Sequence, residues 1–247
     1  LNATGGRLSL NWTDPNNPSI DIQIDSLEFG SVTTGAFMVE TSRFGNSQLV
    51  RSEMQKVSLA SGSLFDLVSF KQVRNKTKSR IALLATNQSN SDSLKFNGEL
   101  VTNSADWEIT LDTLQYRRAG QKWANQSVCR INKKGSAWAI EDFDLRSALA
   151  SVEVNGVLSS NPMDKVKVKL NKFNIQQISL LLGNEYRFVE GLVQGTVVGS
   201  GLLDQPNLSG NLQVEGLKVD SIELGQLSVL SQFIPASSRL VVQADLR

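Results

Sequence analysis

Asp142 and Asp144 flank Phe143, and Asp21 and Asp25 bracket Ile22 and Ile24. Carboxylates this close together are the groups that general acid–base work requires. Within runs that alternate apolar and polar residues, the same spacing simply sets both on a solvated face. Gly195-x-x-x-Gly199-x-Gly201 is rich enough in glycine to suggest a phosphate cradle. It departs from the dinucleotide spacing, however, and no helix clearly follows it, so strand curvature is the better account. Lys165, Lys167, Lys169 and Lys172 form a basic row that anionic headgroups or nucleic acid would meet. Lysines opposite an apolar face more commonly serve solubility and edge protection. Asn2, Asn11, Asn75, Asn87, Asn125 and Asn207 each open an Asn-x-Ser/Thr triplet, a glycan acceptor in a secreted eukaryotic protein.

What is missing narrows the chemistry further. The 247 residues contain no histidine and a single cysteine, Cys129. The commonest general base, the commonest zinc ligand and the Ser-His and Cys-His nucleophile pairs are therefore absent, as are an internal disulfide and a cysteine metal cluster. Cys129 reads as a small buried hydrophobe. No catalytic residue, metal ligand or cofactor is expected. A net charge of +1 argues against nucleic acid as a partner, since such a binder carries a basic excess. No apolar run reaches the roughly 18–20 residues that span a bilayer. The opening Leu1 to Leu10 is polar and does not read as a signal peptide. Beginning at Leu1 and ending in a strand-like run, the chain reads as cut from something longer.

The elements that position these residues follow a period of two. Trp107, Ile109 and Leu111 alternate with Glu108, Thr110 and Asp112; Val166, Val168 and Leu170 alternate with Lys165, Lys167 and Lys169. Ile20, Ile22 and Ile24 do the same, and Leu208, Leu212 and Val214 share one parity. Successive side chains of a strand point to opposite faces, so each run has an apolar and a polar side, as in antiparallel sheets. Turn signals stand at Asp14 to Pro18, Phe44-Gly45-Asn46, Asn97-Gly98, Lys134-Gly135-Ser136, Asn161-Pro162 and Asp204 to Asn207. At about 8–12 residues per strand and turn, the chain holds on the order of 20–25 strands. Their spacing makes one sheet roughly 100 Å long, and such a sheet must roll to persist.

One or two short helices are expected: Asn174 to Gly183 with Asn174 as N-cap, and more weakly Arg146 to Ala150 and Ser231 to Leu240. Lys71 to Ser79 and Asn87 to Ser93 read as loops. An internal repeat relates Asn97-Gly98-x-Leu100-x-x-Asn103-x-x-Asp106 to Asn155-Gly156-x-Leu158-x-x-Asn161-x-x-Asp164. With one inserted residue, Trp107, Ile109, Leu111 and Leu114 continue the match onto Val166, Val168, Leu170 and Phe173. Repeats of this kind pack mainly on their neighbours. The expected organisation is an amino-terminal β segment over 1–135 and a second over 136–247, continuous with it as one elongated sheet. An apolar face of this period fits a closed β-sandwich core and an open groove equally well.

The carboxy-terminal half carries a resemblance that separates these two. Trp138-Ala-Ile-Glu-Asp-Phe-Asp-Leu145 leads to Val152-Glu-Val-Asn-Gly156-Val-Leu158 and then to Asp164-Lys-Val-Lys-Val-Lys-Leu170-Asn-Lys-Phe173. Glu190-Gly191-Leu192 runs on to Gly195, Gly199 and Gly201, followed by Pro206-Asn-Leu-Ser-Gly210-Asn-Leu-Gln-Val214-Glu-Gly216-Leu217-Lys-Val219 and by Ile222-Glu-Leu-Gly225-Gln-Leu227. This succession, over about residues 136–230, resembles the repeating segments of TamB-like translocation and assembly proteins, relatives of the AsmA-like inter-membrane proteins. The first hundred residues share the rhythm only.

The resemblance implies an all-β chain: a long curled antiparallel sheet, or β-taco, whose apolar interior is an open groove. It implies a non-enzymatic role in the periplasm of a diderm bacterium, with the whole protein anchored in the inner membrane. The groove would carry phospholipid acyl chains between inner and outer membranes, with a BamA-class outer-membrane barrel as partner. An alternative role is a scaffold that binds nascent outer-membrane strands by β-augmentation. An adhesin or β-solenoid for polysaccharide fits less well, with Trp12, Trp107, Trp123 and Trp138 as its only tryptophan platforms and too long a repeat. Exposure of acyl chains costs about 0.8 kcal/mol per CH₂, on the order of 12 kcal/mol for roughly 16 carbons, which an apolar trough largely removes. The expected lining is Trp107, Ile109, Leu111, Trp138, Ile140, Val152, Val154, Val166, Val168, Leu170, Leu212 and Val214.

Overall fold

The computed structural model describes residues 2–11, 19–30, 32–59, 62–88, 91–103, 105–118, 120–176, 189–220, 222–234 and 239–247. Among them lie twenty strands, hydrogen-bonded as one antiparallel sheet; the chain is all-β. No helix lies wholly within the described residues. The chain divides into two compact units, Leu1–Ala124 and Asn125–Arg247.

In the first unit, β1 (Asn2–Thr4) and β2 (Arg7–Asn11) are followed by β3 (Ser19–Ile24) and β4 (Ser26–Phe29), then by β5 (Val32–Thr34) and β6 (Phe37–Phe44). These pair as two parallel tracks, β2 with β3 and β3 with β6, and β1 with β4 and β4 with β5. Both tracks end on the 13-residue β7 (Ser47–Leu59). From there the unit is a meander of β8 (Gly62–Asn75), β9 (Lys78–Thr86), β10 (Ser93–Asn103), β11 (Asp106–Arg118) and β12 (Gln121–Asn125), each strand paired with the one before it.

The second unit is the same device repeated: β13 (Cys129–Lys134), β14 (Ala137–Ser147), β15 (Ala150–Leu158), β16 (Lys165–Asn174), β17 (Val189–Ser200), β18 (Asn207–Val219), β19 (Ile222–Ile234) and β20 (Arg239–Leu246). From β14 onward each strand pairs with its predecessor. Hairpins close this way because glycine and Asx residues occupy the turns. Gly45 and Gly135 both sit in turns with positive φ, as the Phe44-Gly45-Asn46 and Lys134-Gly135-Ser136 signals require.

Several expectations need correction. Arg146 to Ala150 is a hairpin turn, with β14 running to Ser147 and β15 starting at Ala150. Ser231 to Ile234 completes β19, and Leu240 belongs to β20. Pairing with neighbouring strands outweighs the weak helical pattern in both. Lys71 to Ser79 is mostly strand, turning at Lys76 and Thr77; most of its polar residues are exposed, while Gln72 is half-buried and Ser79 buried. Asn97-Gly98 is no turn but the interior of β10, where the register against β11 shifts and Asp112 is left over. The run Asp14 to Pro18 lies outside the described residues, as does 177–188, which holds most of the expected helix. At its start the Gln176 amide donates to Asn174 Oδ1 at 2.9 Å, the bond an N-cap makes.

Three alternate strands of the second unit carry bulges of two residues against one. Glu141 and Asp142 of β14 oppose Asn155, Asn171 and Lys172 of β16 oppose Gln194, and Glu215 and Gly216 of β18 oppose Gln226. The second residue of each bulge has positive φ: 58° at Asp142, 45° at Lys172 and 61° at Gly216. Bulges bend the bulged strand and increase its local twist. At the first, the Asp142 amide donates to Asn155 Oδ1 at 2.7 Å. Asn155→Ala removes that acceptor and should cost about 1 kcal/mol of unfolding free energy in a urea titration. No change would mean that the side chain does not hold the bulge.

Candidate functional site

Cross-strand partners in an antiparallel sheet lie on the same face, so the register decides which apolar residues meet. In the second unit Ile140 pairs with Gly156 and Gly156 with Val166; Val154 pairs with Val168 and Val168 with Val197. Val152 pairs with Leu170, Leu170 with Gly195 and Gly195 with Leu212. Val193 pairs with Val214, and Trp138 with Leu158. The nine expected lining residues of this unit, Trp138, Ile140, Val152, Val154, Val166, Val168, Leu170, Leu212 and Val214, therefore share one face. Val193, Val214 and Leu217 are its buried centre, with Leu170, Leu212 and Leu227 packed against them.

The first unit presents a face of the same kind. Trp107 pairs with Thr102, Ile109 with Leu100 and Leu111 with Gly98, the three expected residues lying side by side on β11. Neighbouring rows run Phe96–Leu83–Phe70 and Leu94–Ala85–Val68–Met54 across β10, β9, β8 and β7. Trp107's row ends in polar groups, since the Thr102 amide donates to the Thr77 carbonyl at 2.9 Å.

The burial of these faces is the informative quantity. Leu111, Val166 and Val214 are buried, while Trp107, Ile109, Trp138, Ile140, Val152, Val154, Val168, Leu170 and Leu212 are all half-buried. A covering sheet would bury them outright. Among the described residues only nine apolar side chains are buried, and no second sheet is present. Of the alternation noted in the sequence, Leu208 behaves differently and stands 41 % exposed.

The opposite face is ordinary solvated surface. Lys165, Lys167 and Lys169 are exposed, and Lys169 Nζ lies 3.2 Å from Glu153. Asp144 accepts two hydrogen bonds from Arg146, at 2.9 and 2.8 Å, and this raises the Arg146 pKa. Asp21, Asp25 and Asp142 are exposed. Gly195 and Gly199 lie within β17 and Gly201 in the turn beyond it. Cys129 is fully buried; burial pushes its thiol pKa up, and the charges of Asp142 and Glu141 push it further. A thiol held in this way is a poor nucleophile. Among the described residues no group of three or more Cys, Asp or Glu could hold a metal ion, and no helix is long and apolar enough to cross a membrane.

Compared with protein-family models, curated proteins and solved structures, the chain finds no match.

Sequence alternation misses several members of that face. Phe143, Leu145, Phe173, Val193, Val197 and Leu217 share it through the register. Phe143, Phe173 and Leu217 each follow a bulge, which shifts the inward parity by one residue. A step of three inside a run of twos was the signal: Ile140 to Phe143, Leu170 to Phe173 and Val214 to Leu217.

Proposed function

We propose that the apolar face is a trough for lipid acyl chains, and that the chain is part of a TamB-like protein carrying phospholipid between inner and outer membranes in support of outer-membrane biogenesis. The observation that carries the reading is a continuous, register-aligned apolar face with half-buried side chains and no covering layer among the described residues. Apolar side chains left open to water are unfavourable unless something apolar occupies them. An acyl chain is long, thin and featureless, and needs a row of side chains rather than a pocket. The resemblance of 136–230 to TamB-like repeats adds the periplasmic setting and the BamA-class partner of the whole protein. The role needs no catalytic group.

Val168 and Lys167 are adjacent in β16, the first on the apolar face and the second exposed on the other. A photo-crosslinking residue at Val168, in the full-length protein in cells, should yield lipid adducts, and one at Lys167 should not. Equal lipid labelling at both would point to surface adsorption rather than a trough. Adducts to barrel proteins in place of lipid would favour a scaffold for nascent strands.

A further inference from the structure

At one rim of the first unit's apolar face, the turns β6–β7 and β8–β9 lie side by side. The register joins Arg43 to Gln48 and Gln48 to Arg74, so both arginines stand on the apolar-face side, two strands apart, roughly 10 Å. Between them is a hollow of about 380 Å³ lined by Arg43, Arg74 and Lys76, with Thr41, Ser42, Asn46, Ser47 and Gln48 as polar company. Its lining contains no carboxylate. Other hollows mix charges, as where Arg51 lies among Glu40 and Glu53, or Lys169 beside Glu153. Arg43 Nε donates to the Gly45 carbonyl at 3.2 Å and Arg74 Nε to the Lys76 carbonyl at 3.4 Å. Each guanidinium is thus braced over its own turn. Ile20, also in the lining, pairs with Thr41 and Thr41 with Val50; the next row inward is Ile22, Val39, Ser52 and Phe70. The basic hollow therefore opens directly onto apolar rows.

We infer that this hollow binds the phosphodiester of a glycerophospholipid whose acyl chains lie along the adjoining rows. Three cations without a counter-charge favour an anion, and guanidinium groups match phosphate oxygens in a bidentate way. The neighbouring apolar rows select an anion that carries hydrocarbon. The inference rests on the trough reading and adds the end at which a headgroup is held.

Calorimetric titrations of the full chain with monomeric dihexanoyl-phosphatidylglycerol, chain-matched dihexanoylglycerol and inorganic phosphate separate the two. The phospholipid should bind at least about tenfold more tightly than the uncharged lipid. The R43Q/R74Q variant should lose that advantage while its affinity for the uncharged lipid stays put, and Lys76→Gln should lose part of it. All three side chains are exposed, and circular dichroism checks that the variants keep their fold. A phospholipid advantage that survives R43Q/R74Q overturns the headgroup site and leaves the trough standing. Binding of neither lipid overturns both. Inorganic phosphate binding as tightly as the phospholipid, and dependent on the arginines, overturns the lipid occupant in favour of free phosphate.

Discussion

Gly156→Ala is expected to lower the unfolding free energy by about 3 kcal/mol or more, enough to unfold part of the population of a marginally stable chain. Gly156 sits within β15 at φ 129°, paired with Ile140 on one side and Val166 on the other. A Cβ there would lie 2.0 Å from the Lys165 carbonyl oxygen and 2.9 Å from Val166 Cα. Backbone atoms cannot step aside as a flexible side chain can, so β15 and β16 would have to separate. Two costs add: an unfavourable φ, and a clash with a paired strand. Gly45→Ala isolates the first, because Gly45 has φ 57° and nothing within 4 Å of the added atom. Its loss should be about 1 kcal/mol. Urea titrations of both variants measure the difference. Equal losses would show that the close approach of β15 and β16 is not a feature of the folded chain.

Val193→Asp should cost a similar or larger amount at neutral pH, on the order of 3–5 kcal/mol, because it buries a charge without a partner. Val193 is 8 % exposed and lies among Val214, Leu217 and Leu170. Desolvation raises the folded-state pKa of such a carboxyl above its unfolded value. The unfolded state then loses its proton first, so the penalty grows as pH rises above the unfolded carboxyl range and shrinks as pH falls below it. The gap between wild type and variant should therefore narrow between pH 7 and pH 4. Val193→Thr, of nearly the same shape and without charge, should lose less and show no such narrowing. A variant as stable as wild type at pH 7 would mean that this centre is open to water.

The class of the fold was legible because its cause is local. Side-chain alternation at Val166, Val168 and Leu170 requires a strand with two unlike faces, and Gly45 and Gly135 supply the reversals between strands. The strand count fell within the expected range for the same reason. The shared face was legible only in part. Trp138 and Ile140 are even-numbered and Phe143 and Leu145 odd, and nothing but the bulge at Asp142 brings them to one side. Register was not legible either. The two copies of the repeat place their glycines on the apolar face, but Gly98 pairs with Leu111 and Gly156 with Val166, the counterpart of Trp107. A two-residue connection follows β10 and a longer one follows β15, and the length of the turn sets the pairing. The basic rim at Arg43 and Arg74 needed the register too, since the two residues are far apart in sequence.

In both units nearly every strand after β7 pairs with the strand just before it. Such a chain closes only short loops as it folds, so its search is less entropically demanding than that of a Greek-key sandwich of equal size. Each hairpin can zip onto a template already formed, in the order in which the chain emerges from a ribosome. Gain or loss of a whole hairpin leaves every other pairing intact and alters the sheet by two strand spacings, roughly 10 Å. Length is thus a variable that evolution can adjust in steps, much as it adjusts the number of repeats in a solenoid.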